Sequence, residues 1–411
     1  MSKARYFGHS ILWLTVVTLV VTAVFFSATR VLMSQASSYK STIEQYVSRE
    51  LGEQLSIESF SATLDGFSPQ LTLERVQLVF AEQEAPPLNI GQIKLSFNVF
   101  SLALGTFTPE KIILSETSLS LKRFKDGHIS IAGLHKEGFQ KQTTGDVSWL
   151  LEDGWFEVVN SRVVWQDDLK GLPSMELQNS QLIVQNDGAE HSLSLTAVVP
   201  EISQHPIVFM ASVNGDLLSS NNWKARGYLK AEQVDLQAIS KRLNIEPLRV
   251  RQGLSDLQLW SWWDQAKLSQ IKGQVVSENT QMLIDDEAID LKQLSSWFSW
   301  QALEKGWRLN LGALSFQLAD MIQADGKVLV DYRPAAEHTF SLAVKSADIN
   351  LNVFSTLLTQ SPLLAADEKA LLQQIVPKGR LNYLDAQVQA DGGMFAWAAG
   401  LRSHPMTHQL I

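Results

Sequence analysis

The sequence predicts a mainly β chain: an N-terminal transmembrane helix, then a long, mostly antiparallel β meander with a few short helices. Three observations carry this expectation. One uncharged apolar run stands near the N-terminus, segment after segment beyond residue 53 alternates apolar and polar residues, and helical periodicity is scarce. The 411 residues exceed one ordinary domain, unless an extended sheet absorbs them. With 45% hydrophobic residues there is enough apolar surface for a substantial buried face, so wholesale disorder is not expected. Net charge is −9, from 34 basic and 43 acidic residues without a dense basic run, which argues against nucleic acid as a partner. The lack of cysteine excludes disulfides and thiolate metal sites and fits an oxidising compartment.

In Ile11–Ala28 only Thr and Ser interrupt the apolar residues, and charge, Pro and Gly are absent. Ile11, Leu12, Trp13, Leu14, Val16, Val17, Leu19, Val20, Val21, Val24, Phe25 and Phe26 form the anchor, and Val31, Leu32 and Met33 extend it, so the helix is placed at 11–33. At ~1.5 Å per residue such a run spans most of a ~30 Å hydrocarbon core, and a helix satisfies its backbone polar groups internally. A cleaved secretory signal is the competing reading. The run is too long for most signals, and Phe26 stands where a cleavage site needs a small residue. Lys3 and Arg5, retained inside, leave residues 1–10 cytoplasmic and send everything after Arg30 across the membrane.

A short amphipathic helix is expected over 38–52. Ser41-Thr42-Ile43-Glu44 has capping-box spacing; Ile43, Tyr46, Val47 and Leu51 share one face, and Gly52 ends the run. It reads as a cap on the first strands in preference to a helix lying flat on a bilayer. Residues 53–390 form the sheet domain. Leu71 and Leu73, then Val76, Leu78 and Phe80, alternate with polar residues, with a phase slip at Glu74-Arg75 that reads as a bulge. Ile93, Leu95, Phe97 and Val99 alternate strictly, as do Leu119 and Leu121, Leu193, Leu195 and Ala197, and Phe340, Leu342 and Val344. Each is a half-buried antiparallel strand. Asp-Gly pairs at Asp126, Asp153, Asp187, Asp325 and Asp391 read as tight hairpin turns, because the dipeptide favours positive φ. The chain is therefore a meander.

Helices are expected at Val353–Thr359 and Ala366–Val376, the second stopped by Pro377. Ala231–Ser240 and Ser346–Ser355 echo one another as a strand handing over to a short helix, which puts a repeat boundary near 245. A second echo, at Thr117-Ser118, Asn160-Ser161 and Asn179-Ser180, reads as a polar step opening a strand. Residues 391–411 lose alternation and read as an irregular tail left by truncation or frameshift. So many apolar strand faces with so few covering helices leave two solutions. Two sheets pack as a sandwich, or one sheet curls so that its apolar faces line a trough; the sandwich is the commoner solution, and the residues alone favour it.

No catalytic residue, metal site or cofactor is expected. The eight histidines lack metal-ligand spacing, and Pro405 separates His404 from His408. Asp167-Asp168 and Asp285-Asp286-Glu287 read as solvated turns, not divalent-ion sites. Nucleophile elbows, phosphate loops and dinucleotide fingerprints are missing. Tryptophan is the unusual residue, with twelve. Trp260, Trp262 and Trp263 fall in one strand, with Trp260 and Trp262 on one face and Leu259 and Trp263 on the other. That strand is either buried on both sides or part of an apolar wall.

Residues 52–80, in particular Gly66-Phe67-Ser68-Pro69 followed by Leu71, Leu73, Val76 and Leu78, resemble the opening of AsmA-like proteins of the YhdP branch. The likeness continues through Ile93-Lys94-Leu95, Trp155–Val158, Gln185-Asn186-Asp187 and Lys345–Ile349, as pattern more than identity. It implies a protein held in the inner membrane of a diderm bacterium by a single pass, with its bulk in the periplasm. It also implies that the periplasmic part is a long, curled β-sheet of groove-like form, which carries phospholipid between inner and outer membrane along its apolar groove and so maintains the outer-membrane barrier. Members of that branch are longer than this chain. The partners implied are phospholipid acyl chains, the inner membrane and envelope proteins. Candidate groove-lining residues are Leu73, Leu78, Leu95, Phe97, Leu119, Leu121, Leu193 and Leu195. A scaffold for outer-membrane proteins and a hydrolase of envelope polymers are the alternatives.

Overall fold

The computed structural model describes Val16, Val20 and residues 40–51, 54–66, 68–79, 87–104, 108–125, 129–131, 153–215, 222–243, 248–265, 267–284, 287–333, 340–359 and 366–390. The chain divides into two compact units, Met1–Trp165 with Asn179–Asn186, and Gln166–Gln178 with Asp187–Ile411. Each is mainly β.

The first unit contains α1 (Lys40–Leu51), β1 (Gln54–Asp65), β2 (Ser68–Val79), β3 (Leu88–Phe97), α2 (Val99–Ala103), β4 (Pro109–Arg123) and β5 (Ile129–Ile131). β6 (Asp153–Asp167) and β7 (Leu172–Asp187) run through the division. Strands β1 to β5 pair antiparallel in chain order. The second unit contains β8 (Glu190–Val199), β9 (Ser203–Gly215), β10 (Trp223–Asp235), α3 (Leu236–Leu243), β11 (Leu248–Asp264), β12 (Lys267–Ile284), β13 (Glu287–Ala302), β14 (Trp307–Leu318), β15 (Met321–Tyr332), β16 (Phe340–Asn350), α4 (Leu351–Thr359), α5 (Ala366–Ile375) and β17 (Arg380–Ala390). Here too each strand pairs antiparallel with the next, from β8 to β17.

The expected transmembrane helix, and with it the single-pass inner-membrane placement, is corrected by this fold. Among the described residues no helix is long and apolar enough to cross a membrane. The longest, α1, has 12 residues, so at ~1.5 Å per residue it covers only about 18 Å of a ~30 Å core. The anchor residues Ile11–Phe26 lie outside the described residues, apart from Val16 and Val20, as does the tail 391–411.

Helix α1 caps the first strand. Glu44 Oε1 accepts the Ile57 N–H at 2.7 Å, Ser48 Oγ accepts the Leu55 N–H at 2.9 Å, and Lys40 Nζ donates to the Glu58 carbonyl at 3.2 Å. Lys40, Glu44 and Ser48 recur every four residues, so one helix face meets alternate backbone groups of β1 on the side away from β2. Unsatisfied strand N–H groups invite pairing with another chain, and α1 prevents this. Glu44 is thus spent on β1 and not on the helix terminus, contrary to the capping-box reading. Ile43 packs on the cluster of Ile57, Phe60, Leu73 and Val76.

The phase slip at Glu74-Arg75 is not an insertion in one strand. Ile57, Val76, Ile90 and Thr117 are partners across β1–β4, and so are Phe60, Leu73, Ile93 and Leu114. Two residues separate the rows in every strand, so the register survives while all four strands turn over together. Arg75 and Glu116 take positive φ on this crease, as does Asn160 in β6. Gly91 is required there because a Cβ would stand 2.8 Å from Glu116 Cβ. The steps at Asn160-Ser161 and Asn179-Ser180, expected to open strands, lie in the middle of β6 and β7. Buried Ser161 Oγ accepts the Thr117 N–H at 3.1 Å, supplying an acceptor where the ladder is distorted.

The same device recurs in the second unit, where Ser277 pairs with Leu294 and Thr280 with Leu291, and Asn279 has positive φ. Asp187-Gly188 makes the β7–β8 turn, but Asp325-Gly326 lies inside β15 with Asp325 at positive φ, and Asp153-Gly154 opens β6. The echo between Ala231–Ser240 and Ser346–Ser355 resolves as helix capping. Asp235 Oδ1 accepts the Gln237 and Ala238 N–H groups, and Asn350 Oδ1 accepts that of Asn352. Asn98 caps α2 in the same way.

Candidate functional site

Strand register places an apolar band on one face of the second unit. Leu195, Phe209, Leu229, Leu259, Gly273, Phe298, Leu311, Val328 and Val344 are successive cross-strand partners over nine strands, β8 to β16. Beside it runs a second row, Leu193, Ala211, Gly227, Ser261, Ile271, Trp300, Leu309, Val330 and Leu342. Direct partners share a face, so the eight steps of about 4.8 Å make a path of ~38 Å measured along the sheet. Save for Gly273, every member of both rows is half-buried. Core residues of a closed two-layer packing would be sealed, as Ile289 and Leu291 are at 5% and 6% exposure.

The crease decides where sealing stops. Beyond it Ile289, Leu291 and Leu318 pack with Val353 of α4, so the helix covers that end of the face. The two rows lie on the other side, without such a cover among the described residues. An apolar cavity of about 110 Å³ beneath α4 is lined by Leu314, Phe316, Val328, Val344, Val353 and Leu357, and so opens from the first row toward the helix.

Charge sits on the opposite face. Arg308 and Asp331 are cross-strand partners joined by two hydrogen bonds of 2.6 and 2.8 Å. The Arg308 donors, with the nearby Arg333 guanidinium, hold the Asp331 carboxyl below the usual carboxylate range against the opposing effect of burial. Lys224–Asp264, Lys230–Glu232 and Lys345–Asp385 are further pairs. The apolar band is left without an ion that an occupant would have to desolvate.

The eight expected lining residues divide between settings. Leu193 and Leu195 belong to the two rows. Leu73 is buried with Ile57, Phe60 and Val76, and half-buried Leu95 packs against that cluster. Leu78 is buried with Leu88, and half-buried Leu119 packs there. Phe97 is buried at the end of β3, and Leu121 is half-buried opposite Ile131. Phe209, Leu229, Leu259, Phe298, Leu311 and Val328 were outside that set, although each stands in an alternating segment; only pairing makes them collinear. The tryptophans also divide. Trp300 and Trp307 lie on the apolar face with Trp263, whereas Trp260, Trp262 and Trp297 lie on the polar one, and β11 is not sealed on either side.

Among the described residues no group of three or more His, Asp or Glu is placed to hold a metal ion. Asp167 Oδ1 accepts the Lys170 N–H in a turn; Asp285 and Asp286 lie outside the described residues. No curated protein and no solved structure matches the chain. The family model described as YhdP protein matches residues 1–404. The chain therefore belongs to the YhdP family of AsmA-like proteins.

Proposed function

We propose that the chain carries phospholipid between the two membranes of a diderm envelope by sheltering acyl chains on the uncovered apolar face of the second unit. The observation that carries this reading is the pair of half-buried rows across β8–β16. Water in contact with such a band is unfavourable, and each CH₂ laid on it recovers up to about 0.8 kcal/mol. Because one apolar position follows another at strand spacing, an acyl chain that moves by one strand exchanges equivalent contacts. Transfer along the face then needs no catalytic residue. Leu193 and Leu195 are lining residues in this reading; the half-buried Leu95, Leu119 and Leu121 extend the proposal to the first unit, and the buried Leu73, Leu78 and Phe97 back it. Family membership supports the lipid class of cargo.

The test is photo-crosslinking in cells. A photoreactive residue at Leu229 or Leu311 captures phospholipid, whereas one at Gln258 or Asn310 on the opposite face does not. Equal capture on both faces, or none at either apolar position, overturns the proposal. Capture of protein instead of lipid at Leu229 and Leu311 favours the scaffold reading.

A further inference from the structure

The polar face of the second unit carries an aromatic cluster that lipid carriage does not use. Trp260 on β11 and Trp297 on β13 lean toward each other above β12, with ring centroids 6.2 Å apart and planes 20° from parallel. Tyr228 stands 5.4 Å from Trp260, and Lys272 Nζ lies 5.5 Å from the Trp262 ring. Trp297 is 49% exposed, far more than stacking on one neighbour demands. Beside it opens a concavity of about 580 Å³ bordered by Trp260, Trp262, Lys272, Trp297, Asn310 and Gly312. Gly312 is the direct partner of Trp297, and a Cβ there would meet nothing within 4 Å. A bare glycine opposite a bare indole keeps the floor open.

Cross-strand tryptophan pairs stabilise sheets by covering one another, but that role would be served better by a side chain at position 312. The surroundings indicate what the cluster receives. Register puts Gln258, Gln270, Gln274, Ser299, Gln301 and Asn310 on the same face, a border of amides and a hydroxyl that both donate and accept. The ions Lys224–Asp264, Lys230–Glu232 and Arg308–Asp331 are tied to one another and the Lys272 ammonium is held over the Trp262 ring, so the border favours an uncharged ligand. A flat apolar floor within a neutral hydrogen-bonding border complements a ring with a C–H face and hydroxyls on its rim. An acyl chain would leave those amides unmatched. We propose that this platform binds pyranose rings of a neutral saccharide, independently of the apolar face behind it.

The experiment titrates the full chain with chitotetraose and with maltotetraose, following tryptophan fluorescence and heat. Binding that perturbs the fluorescence is expected, weakened at least tenfold by Trp297→Ala. Gly312→Ile, which fills the floor and leaves every indole in place, is expected to weaken it similarly, while Ser118→Ala, at an exposed position of the first unit, leaves it unchanged. If Trp297→Ala does not fold, Gly312→Ile carries the test alone. Absence of binding of either sugar at about 10 mM, where even a dissociation constant of a few millimolar would register, overturns the proposal. Binding that survives both variants also overturns it, and so does loss of phospholipid capture, instead of sugar binding, in Gly312→Ile.

Discussion

A carboxylate placed in the apolar band separates an uncovered face from a sealed one. Leu311 lies mid-row between Phe298 and Val328 and is half-buried, so a glutamate there can turn its charge to water. Leu291 is 6% exposed and packed with Ile289, Leu318 and Val353, and a glutamate there has no such escape. Replacing leucine by glutamate removes two apolar carbon groups, worth up to ~1.6 kcal/mol where burial is complete and about half that in the row. Leu311→Glu is therefore expected to cost about 1 kcal/mol of stability. Leu291→Glu adds an unpaired buried charge and is expected to cost about 3–5 kcal/mol. Lipid binding reverses the ranking of effects. An acyl chain lying over position 311 must desolvate the carboxylate or detach locally, a penalty of about 3 kcal/mol or more, which is over a hundredfold in occupancy. The assay pairs urea denaturation of the full chain with phospholipid retained on the purified protein. Leu311→Glu that unfolds as readily as Leu291→Glu would show the row to be a closed core, and wild-type lipid retention in that variant would refute the path.

Two further outcomes follow from the hydrogen-bond geometry. The Asp331 carboxyl is held below its unfolded value by Arg308, so this pair stabilises the fold at neutral pH and its contribution is lost as pH falls through the depressed value, below about pH 4. Asp331→Asn should flatten that acid limb in melting temperatures recorded against pH; an unchanged limb assigns acid sensitivity to other carboxylates. Ser161→Ala removes the acceptor of the buried Thr117 N–H and should cost about 1–3 kcal/mol in urea, whereas the exposed Ser118→Ala should stay within about 0.5 kcal/mol. Equal effects would mean that the hydroxyl is not needed at the crease.

Alternation with period two was legible from residues alone, because a strand exposes successive side chains to opposite faces whatever it pairs with. Hence Leu193-Ser194-Leu195 and Leu342-Ala343-Val344 announced strands with one apolar side. The short helices after Asp235 and Asn350 were legible for a similar reason, since a capping side chain acts on backbone two or three residues away. The Glu74-Arg75 slip was visible too, but not its nature. One strand cannot reveal whether its neighbours slip with it, and the preserved register across β1–β4 distinguishes a crease from a bulge.

What only the tertiary structure decided is which apolar residues are covered. Leu73 and Leu195 look alike in sequence, each alternating with polar neighbours, yet the first is sealed with Ile57 and Phe60 and the second lies in a half-buried row. Trp262 and Trp263 are adjacent and end on opposite faces with different neighbours. Apolar character is local, but exposure depends on contacts between residues far apart in the chain, and register sets those. The amino-acid sequence therefore determined a chain of amphipathic strands, and the fold determined where their apolar side is left open.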